Sequence, residues 1–264
     1  MSIGSVWIQE HTWPDIAEYL RENDIVLVPI GSTEQHGHHL PTGCDTYAAI
    51  ALAEDVAKKA GVLTTPPLWF GDSPHHLGFP GTITLRSETL LAVTKDICRS
   101  LAKTGFKKVI LINGHRGANL PALNLAVKSL HEEEFPNIFF AVVDPFKISS
   151  KFVKAERETE EMYHAAEIET SHMMYKFPEL VRSDKIIKEI PPFETKFSPF
   201  FMLDPYRPVE KIDIPFNSQE EAELTKSGVM GDPTKATSDK GKRYHEYMVN
   251  QLIQFIEWLR THHK

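Results

Sequence analysis

Two cysteines, Cys44 and Cys98, are the only thiols in 264 residues. So few exclude a disulfide framework and a thiolate-built metal site, and they suit a reducing compartment. Positive charge is short as well: 29 Lys and Arg face 36 Asp and Glu, a net charge of −7. Nucleic-acid binders carry a basic face, so that partner class is set aside. No apolar run approaches the ~20 residues of a membrane span. The opening Met1-Ser-Ile-Gly-Ser-Val-Trp7 lacks the charged-then-apolar order of a signal peptide. The expectation is a soluble, cytoplasmic chain with neither membrane nor nucleic acid as partner.

What is present is ordinary for a globular domain: 41% hydrophobic and 25% charged residues, in a chain long enough for one large core. Purely apolar runs at 25–30, 109–112 and 138–143 read as buried strands, and Val62-Leu-Thr-Thr65, stopped by Pro66-Pro67, reads as another. Between them lie segments of helical spacing, from Thr12 or Asp15 to Leu20, then 45–60, 87–103, 119–133 and about 240–259. Short apolar strands alternating with helices predict a three-layer α/β/α fold with a mainly parallel central sheet. The chain is expected to form a single domain, 1–264. One stretch, 186–217, departs from it, with repeated Pro, many Phe and no helical period. Such a segment inside a compact domain reads as a lid or an interface arm.

The polar chemistry clusters where the apolar runs stop. Ile30 leads into Gly31-Ser-Thr-Glu34-Gln-His36, with Asp45 following after Pro41 and Gly43. Glu34 and His36, two apart, point to one side of an extended backbone. The 62–65 strand leads to Asp72-Ser73-Pro-His75-His76, and the 109–112 strand to Asn113-Gly114-His115. Later, Tyr163-His164-Ala-Ala-Glu167-Ile-Glu169 adds an imidazole and two carboxylates. If helical, it sets His164 and Glu167 on one face and turns Glu169 away. Any one such histidine is more often a hydrogen-bonded structural residue than a ligand. His38 and His39 read as loop residues, and Cys44 as a small buried side chain. The coincidence of several groups at consecutive strand ends makes the case. The candidate ligand set is Glu34, His36, Asp45, His115 and Glu167. All are nitrogen or oxygen donors, suited to zinc, manganese or iron(II). Five protein ligands exceed one catalytic zinc, so two divalent ions sharing a carboxylate, Asp45, are expected.

These elements resemble the creatininase (creatinine amidohydrolase) family. Its Gly-Ser-x-Glu-Gln-His-Gly-x-His-Leu-Pro element matches Gly31 through Pro41, and its Phe-Pro-Gly-Thr element matches Phe79–Thr82. Its Asn-Gly-His element matches Asn113–His115, and its His-Ala-Gly-Glu-x-Glu-Thr-Ser element matches His164–Ser171, with Ala166 where Gly is usual. Gly228-Val-Met-Gly-Asp232-Pro233 also fits. The resemblance implies a two-metal hydrolase, commonly a hexamer, in which a metal-bound hydroxide opens a small cyclic amide or related carbonyl compound. It maps ligands onto Glu34, His36, Asp45, His115 and a further carboxylate. In creatininases that carboxylate stands two residues after the histidine of the Asn-Gly-His element. Here Gly117 occupies the place, which moves the expected ligand to Glu167 and departs from creatinine as substrate. His164 and Glu167 are the expected catalytic residues, with His164 shuttling a proton. Ser73, His76 and Arg116 are the expected substrate-binding residues; Arg116 departs from the family's Gly and either holds an anionic substrate group or faces solvent. The rival activities are a formamide deformylase or acyclic amidase, and a ring-opening hydrolase of a cyclic polyol ketone. A non-catalytic α/β binding module is the alternative outside enzymes.

Overall fold

The computed structural model describes residues 4–115, 118–160, 162–193 and 214–263. Its central sheet has four parallel strands: β1 (Ile25–Ile30), β2 (Leu63–Thr64), β3 (Lys108–Asn113) and β4 (Phe139–Val143). They lie in the order β2–β1–β3–β4. Every residue of β1 and β3 is buried. Helices cover both faces, so these strands read as continuous apolar runs with no alternation of polarity.

The side chains divide the core in two. Ile25, Leu27, Ile110 and Ile112 face one layer with Leu52 and Val56 of α2 (Cys44–Ala60), Val153 of α5 (Pro145–Glu156) and Leu252 and Ile256 of α8 (Ser238–His262). Val26, Val28, Ile30, Val109 and Leu111 face the other, with Leu90 and Cys98 of α3 (Ser87–Thr104) and Leu123 of α4 (Asn119–Ser129). Ile16 and Leu20 of α1 (Trp13–Glu22) pack against that second layer. This is the three-layer fold the alternation predicts. The chain leaves β1 toward β2 and returns past β1 to place β3 on its other side. The switch point therefore lies between the carboxyl ends of β1 and β3, where open α/β sheets bind ligands.

Three departures from the sequence reading bear on the site. The helix expected over 119–133 is α-helical only to Ser129 and finishes as a π turn, Leu130–Glu134. His164 is not helical. It ends β5 (Met162–His164), which pairs antiparallel with β6 (Met230–Gly231). The chain then reverses through Ala165 at φ +52° before α6 (Glu167–Lys176) begins. A short helix, α7 (Ser218–Leu224), opens on a capping box of Asn217 and Glu220. Of the Pro/Phe-rich stretch, residues 194–213 lie outside the described residues. Its described flank pairs Glu189 with Gly231 and buries Phe193 against Leu224 and Met230. Among the described residues, no helix is long and apolar enough to cross a membrane.

Candidate metal centre

Four buried side chains from three segments meet at the switch point. Glu34 and His36 follow β1, His115 follows β3, and Asp45 stands in the first turn of α2. His36 Nε2 lies 3.2 Å from Asp45 Oδ1, and His115 Nδ1 lies 3.0 Å from Asp45 Oδ2. His115 Nδ1 is also 3.2 Å from Glu34 Oε1. Asp45 thus turns one oxygen to each imidazole, the position a shared carboxylate needs.

The outer contacts of the two imidazoles show which nitrogen each presents. His36 Nδ1–H donates to the Glu34 carbonyl at 3.3 Å, and His115 Nε2–H donates to the Asp72 carbonyl at 3.1 Å. That leaves His36 Nε2 and His115 Nδ1 as lone-pair nitrogens facing the carboxylates. A ring N–H spent on a backbone carbonyl while the other nitrogen faces inward is the usual arrangement of a metal-ligating histidine. Both Glu34 oxygens, His36 Nε2 and Asp45 Oδ2 are buried without a hydrogen-bond partner among the described residues. Orphaned buried polar atoms are costly, of order 1–3 kcal/mol each. Here they converge: Glu34, Asp45 and His115 offer ligand atoms within 4.8 Å of one another, as do Glu34, His36 and His164. This donor set fits a divalent cation.

Electrostatics agree. Burial opposes charge on Glu34, His36 and His115, yet His115 and His76 hold Glu34 well below the usual carboxylate range. Against the same burial, the neighbouring Cys44 and Asp45 hold His36 well above the usual imidazole value, and Glu34 and Asp45 do the same for His115. Carboxylates that would keep a proton on an imidazole equally favour a metal ion in the proton's place. Cys44 stays a thiol, since burial pushes it up to about 11.

The later histidine–carboxylate segment departs from the sequence reading. Glu167 is fully buried but turned away from the cluster. Its carboxylate is ion-paired with Lys240 of α8. It also accepts the Thr159 N–H at 2.9 Å, the Thr159 hydroxyl at 2.6 Å and the Glu158 N–H at 3.0 Å. Glu169 has different partners. It is half-buried, its Oε2 accepts the Ala165 N–H at 2.7 Å, and burial pushes its carboxyl up to about 7, with Asp45 and Glu34 adding to the rise and His36 opposing it. The reversal at Ala165 breaks the helical register assumed between His164 and Glu167, and Glu167 leaves the side that His164 occupies. His164 does reach the cluster. Its Nε2–H donates to the Gln35 carbonyl at 2.6 Å, and Nδ1 lies 3.9 Å from Glu34 Oε1. Burial, His36 and His76 hold it well below the usual imidazole value.

A family model described as creatininase, creatinine amidohydrolase, matches residues 9–256. The chain belongs to the creatininase family. It is 31% identical over 263 residues to a protein of Thermotoga maritima named 3-dehydro-scyllo-inosose hydrolase, covering 95% of this chain and 82% of that one. It is 31% identical over 239 residues to the mycofactocin precursor peptide peptidase of Mycolicibacterium smegmatis, covering 88% and 84%. A crystal structure of creatinine amidohydrolase superposes with a TM-score of 0.77 at 25% identity, covering 96% of this chain and 97% of that one.

In this creatininase-family chain the motif residues that are not candidate ligands act as clamps. Asn119 Oδ1 accepts the Asp72 N–H at 2.8 Å while its Nδ2 donates to the Gly31 carbonyl at 3.0 Å. Asn113 Nδ2 donates to the His115 carbonyl at 2.6 Å. These bonds tie together the loops that follow three strands. Gly114 is required because a Cβ there would overlap the Asp45 carbonyl. His76 joins the cluster, with Nε2 3.2 Å from Glu34 Oε1. The Ser73 hydroxyl is paired with that of Ser32 at 2.8 Å. Arg116 lies outside the described residues. Sequence reasoning assigned no role to Gln35, and it made Glu169 no more than a support. An acidic residue in a helix's first turn, reaching back to a preceding N–H, was the available signal for Glu169.

Proposed function

We propose that this creatininase-family hydrolase opens a small cyclic carbonyl compound, a cyclic amide or a cyclic polyol ketone, with two divalent ions of zinc, manganese or iron(II). The observation that supports this best is the convergence of Glu34, His36, Asp45 and His115 with their inward atoms unpartnered. Glu169 completes the set in place of Glu167. The ions, when bound, polarise the carbonyl and lower the pKa of water at the site. Asp45 reaches both imidazoles and would be the shared ligand. His164, with Nε2–H anchored on the Gln35 carbonyl, has Nδ1 free toward Glu34. Kept neutral by its surroundings, it takes a proton at Nδ1 and returns it to the leaving group. The close burial of these side chains favours a small substrate over a peptide. The polyol-ketone reading draws on the Thermotoga relative, whose match covers 95% of this chain.

The test combines elemental analysis with a panel of cyclic amides, formamides and cyclic polyol ketones offered to metal-loaded protein. About two ions per chain, lost in Asp45→Ala, with turnover of a cyclic member, is the expected result. His164→Ala should keep the metal and lower turnover by about 10²–10⁴. A protein that takes up no metal, or turns over nothing in the panel, overturns the reading. We also propose a homo-oligomer, because Trp13 (81% exposed), Leu77 and Ile83 are large apolar side chains left on the surface. Light scattering on the eluting protein decides it, and a monomer mass would refute it.

A further inference from the structure

One buried carboxylate beside the cluster has no part in the ligand set. Glu221 is fully buried on α7 and far in sequence from the strand-end motifs. Its Oε1 accepts the Nδ1–H of His76 at 2.6 Å and a Gln35 amide N–H at 3.1 Å. The orientation of that amide is settled by its other bonds. Gln35 Oε1 accepts the Gly37 N–H at 2.9 Å, and Nε2 donates to the Gly228 carbonyl at 3.0 Å. Gln35 therefore offers Glu221 a donor, and Glu221 can act only as an acceptor toward His76. On the far side of the ring, Nε2 is 3.2 Å from Glu34 Oε1. That oxygen has no hydrogen-bond partner among the described residues, so the Nε2 contact lacks hydrogen-bond alignment. The His76 ring also stacks on His164, with centroids 4.4 Å apart at 30°.

We infer that Glu221 is a positioning residue of this centre: it takes the Nδ1–H of His76 and so turns Nε2 into the space beside Glu34 and His164, where a substrate heteroatom is held. The inference rests on the cluster being the reaction centre proposed above. A carboxylate oxygen 2.6 Å from Nδ1 takes the proton on that nitrogen in a short, charge-assisted bond, whichever charge the ring carries. Nothing in His76 itself fixes that direction of the ring; the restraint comes from an element more than a hundred residues downstream. A carboxylate that merely filled space here would be costly. Its second oxygen, Oε2, is buried with no partner among the described residues, and an apolar side chain would avoid that cost. The charge is explained if it serves His76.

The experiment is long-range ¹H–¹⁵N NMR of the histidine rings in the full chain, recorded without metal and with two equivalents of zinc. In the parent, His76 Nδ1 is expected to carry a slowly exchanging, downfield proton. Glu221→Ala should lose it, while Glu221→Gln, whose carbonyl still accepts, should keep it with an upfield shift. With a substrate from the panel, Glu221→Ala should lower kcat/KM by about 10–100-fold at unchanged zinc content, and Glu221→Gln should recover most of it. A His76 Nδ1 without a proton overturns the inference, as does a proton indifferent to both substitutions. If Glu221→Ala does not fold, Glu221→Gln alone decides, because exchanging carboxylate for amide must move that proton. His75, His76 and Glu221 also lie close enough together to hold a cation. A zinc ion that displaces the Nδ1 proton would overturn the positioning role in favour of ligation. Failure of zinc to bind anywhere would sink the proposed function, yet leave the ring-proton result readable.

Discussion

Exchanging Glu167 and Glu169 for glutamine, one at a time, separates a structural carboxylate from a metal-binding one. Glu167 is fully buried, and its two oxygens receive the Thr159 and Glu158 N–H groups, the Thr159 hydroxyl and the Lys240 ammonium. In Glu167→Gln one oxygen becomes an NH₂ that must face donors, and Lys240 loses its buried counter-charge. Breaking a buried ion pair from one side costs about 3–5 kcal/mol. Lys240 keeps the Glu158 carboxylate at 2.7 Å and the Lys235 carbonyl at 3.2 Å, which places this case near the lower end. About 3 kcal/mol corresponds to a Tm lower by roughly 6–12 °C for a chain of this size. Metal content should not change, since none of these partners belongs to the cluster. Glu169→Gln should do the reverse. Its amide oxygen can still accept the Ala165 N–H, so Tm should move by no more than about 1–2 °C. Affinity for one ion should fall by about 10–100-fold or more. Thermal unfolding by circular dichroism and elemental analysis on the same samples give both readouts. If Glu167→Gln sheds metal and Glu169→Gln retains it, the assignment of these two carboxylates is refuted.

Removing metal with a chelator should lower Tm, and zinc at about 100 times its Kd should restore about 2.7 kcal/mol. A Tm indifferent to both would count against the fit of the ligand cluster. Acid sensitivity should come from another group of residues. His172 Nε2 lies 2.9 Å from His245 Nδ1, and His245 Nε2 lies 2.9 Å from Asp55, which also pairs with Lys176. Burial holds His172 well below and His245 below the usual imidazole value; the Lys176 charge adds to both, His245 adds to the drop at His172, and Asp55 opposes it. Their folded values are depressed, so below pH ~6.5 only the unfolded chain takes up these protons. Stability present above that pH is lost as pH falls, by about 1.4 kcal/mol per unit per group. Urea melts from pH 8 to 5 should show a shallower slope for His172→Gln, and an unchanged slope would reject the account. Gly228→Ala should destabilise by about 1–3 kcal/mol, because φ is +82° and a Cβ would overlap the Gln35 carboxamide. A neutral result in denaturant melts would mean that Gln35 is not held as described.

How far the sequence could be read depended on whether the relevant order was local. The strands over 25–30, 109–112 and 138–143 were legible because both sheet faces are covered, which forces continuous apolar runs. The strand-end residues Glu34, His36 and His115 were legible for the same reason, since a polar residue just past a buried strand must stand at the sheet's edge. Asp45 followed from its place opening a helix. Residues 164–169 were misread because their register depends on a distant partner. β5 exists only by pairing with β6, some seventy residues later, and the reversal at Ala165 that follows turns Glu167 away from the cluster. The roles of Gln35 and Glu221 were equally hidden. Gln35 alternates away from Glu34 and His36 along an extended segment, and its partners Glu221 and Gly228 lie near the other end of the chain.

The sequence by itself determined the layered α/β architecture, the family and the chemical character of the centre, because these depend on hydrophobic period and on residue type at strand ends. Only the tertiary structure decided that Glu167 is spent on Lys240 and Thr159, which nitrogen each ring presents and what holds His76. Those are matters of direction, set within a few tenths of an ångström by hydrogen bonds between segments far apart in the chain. No local pattern of residues records them.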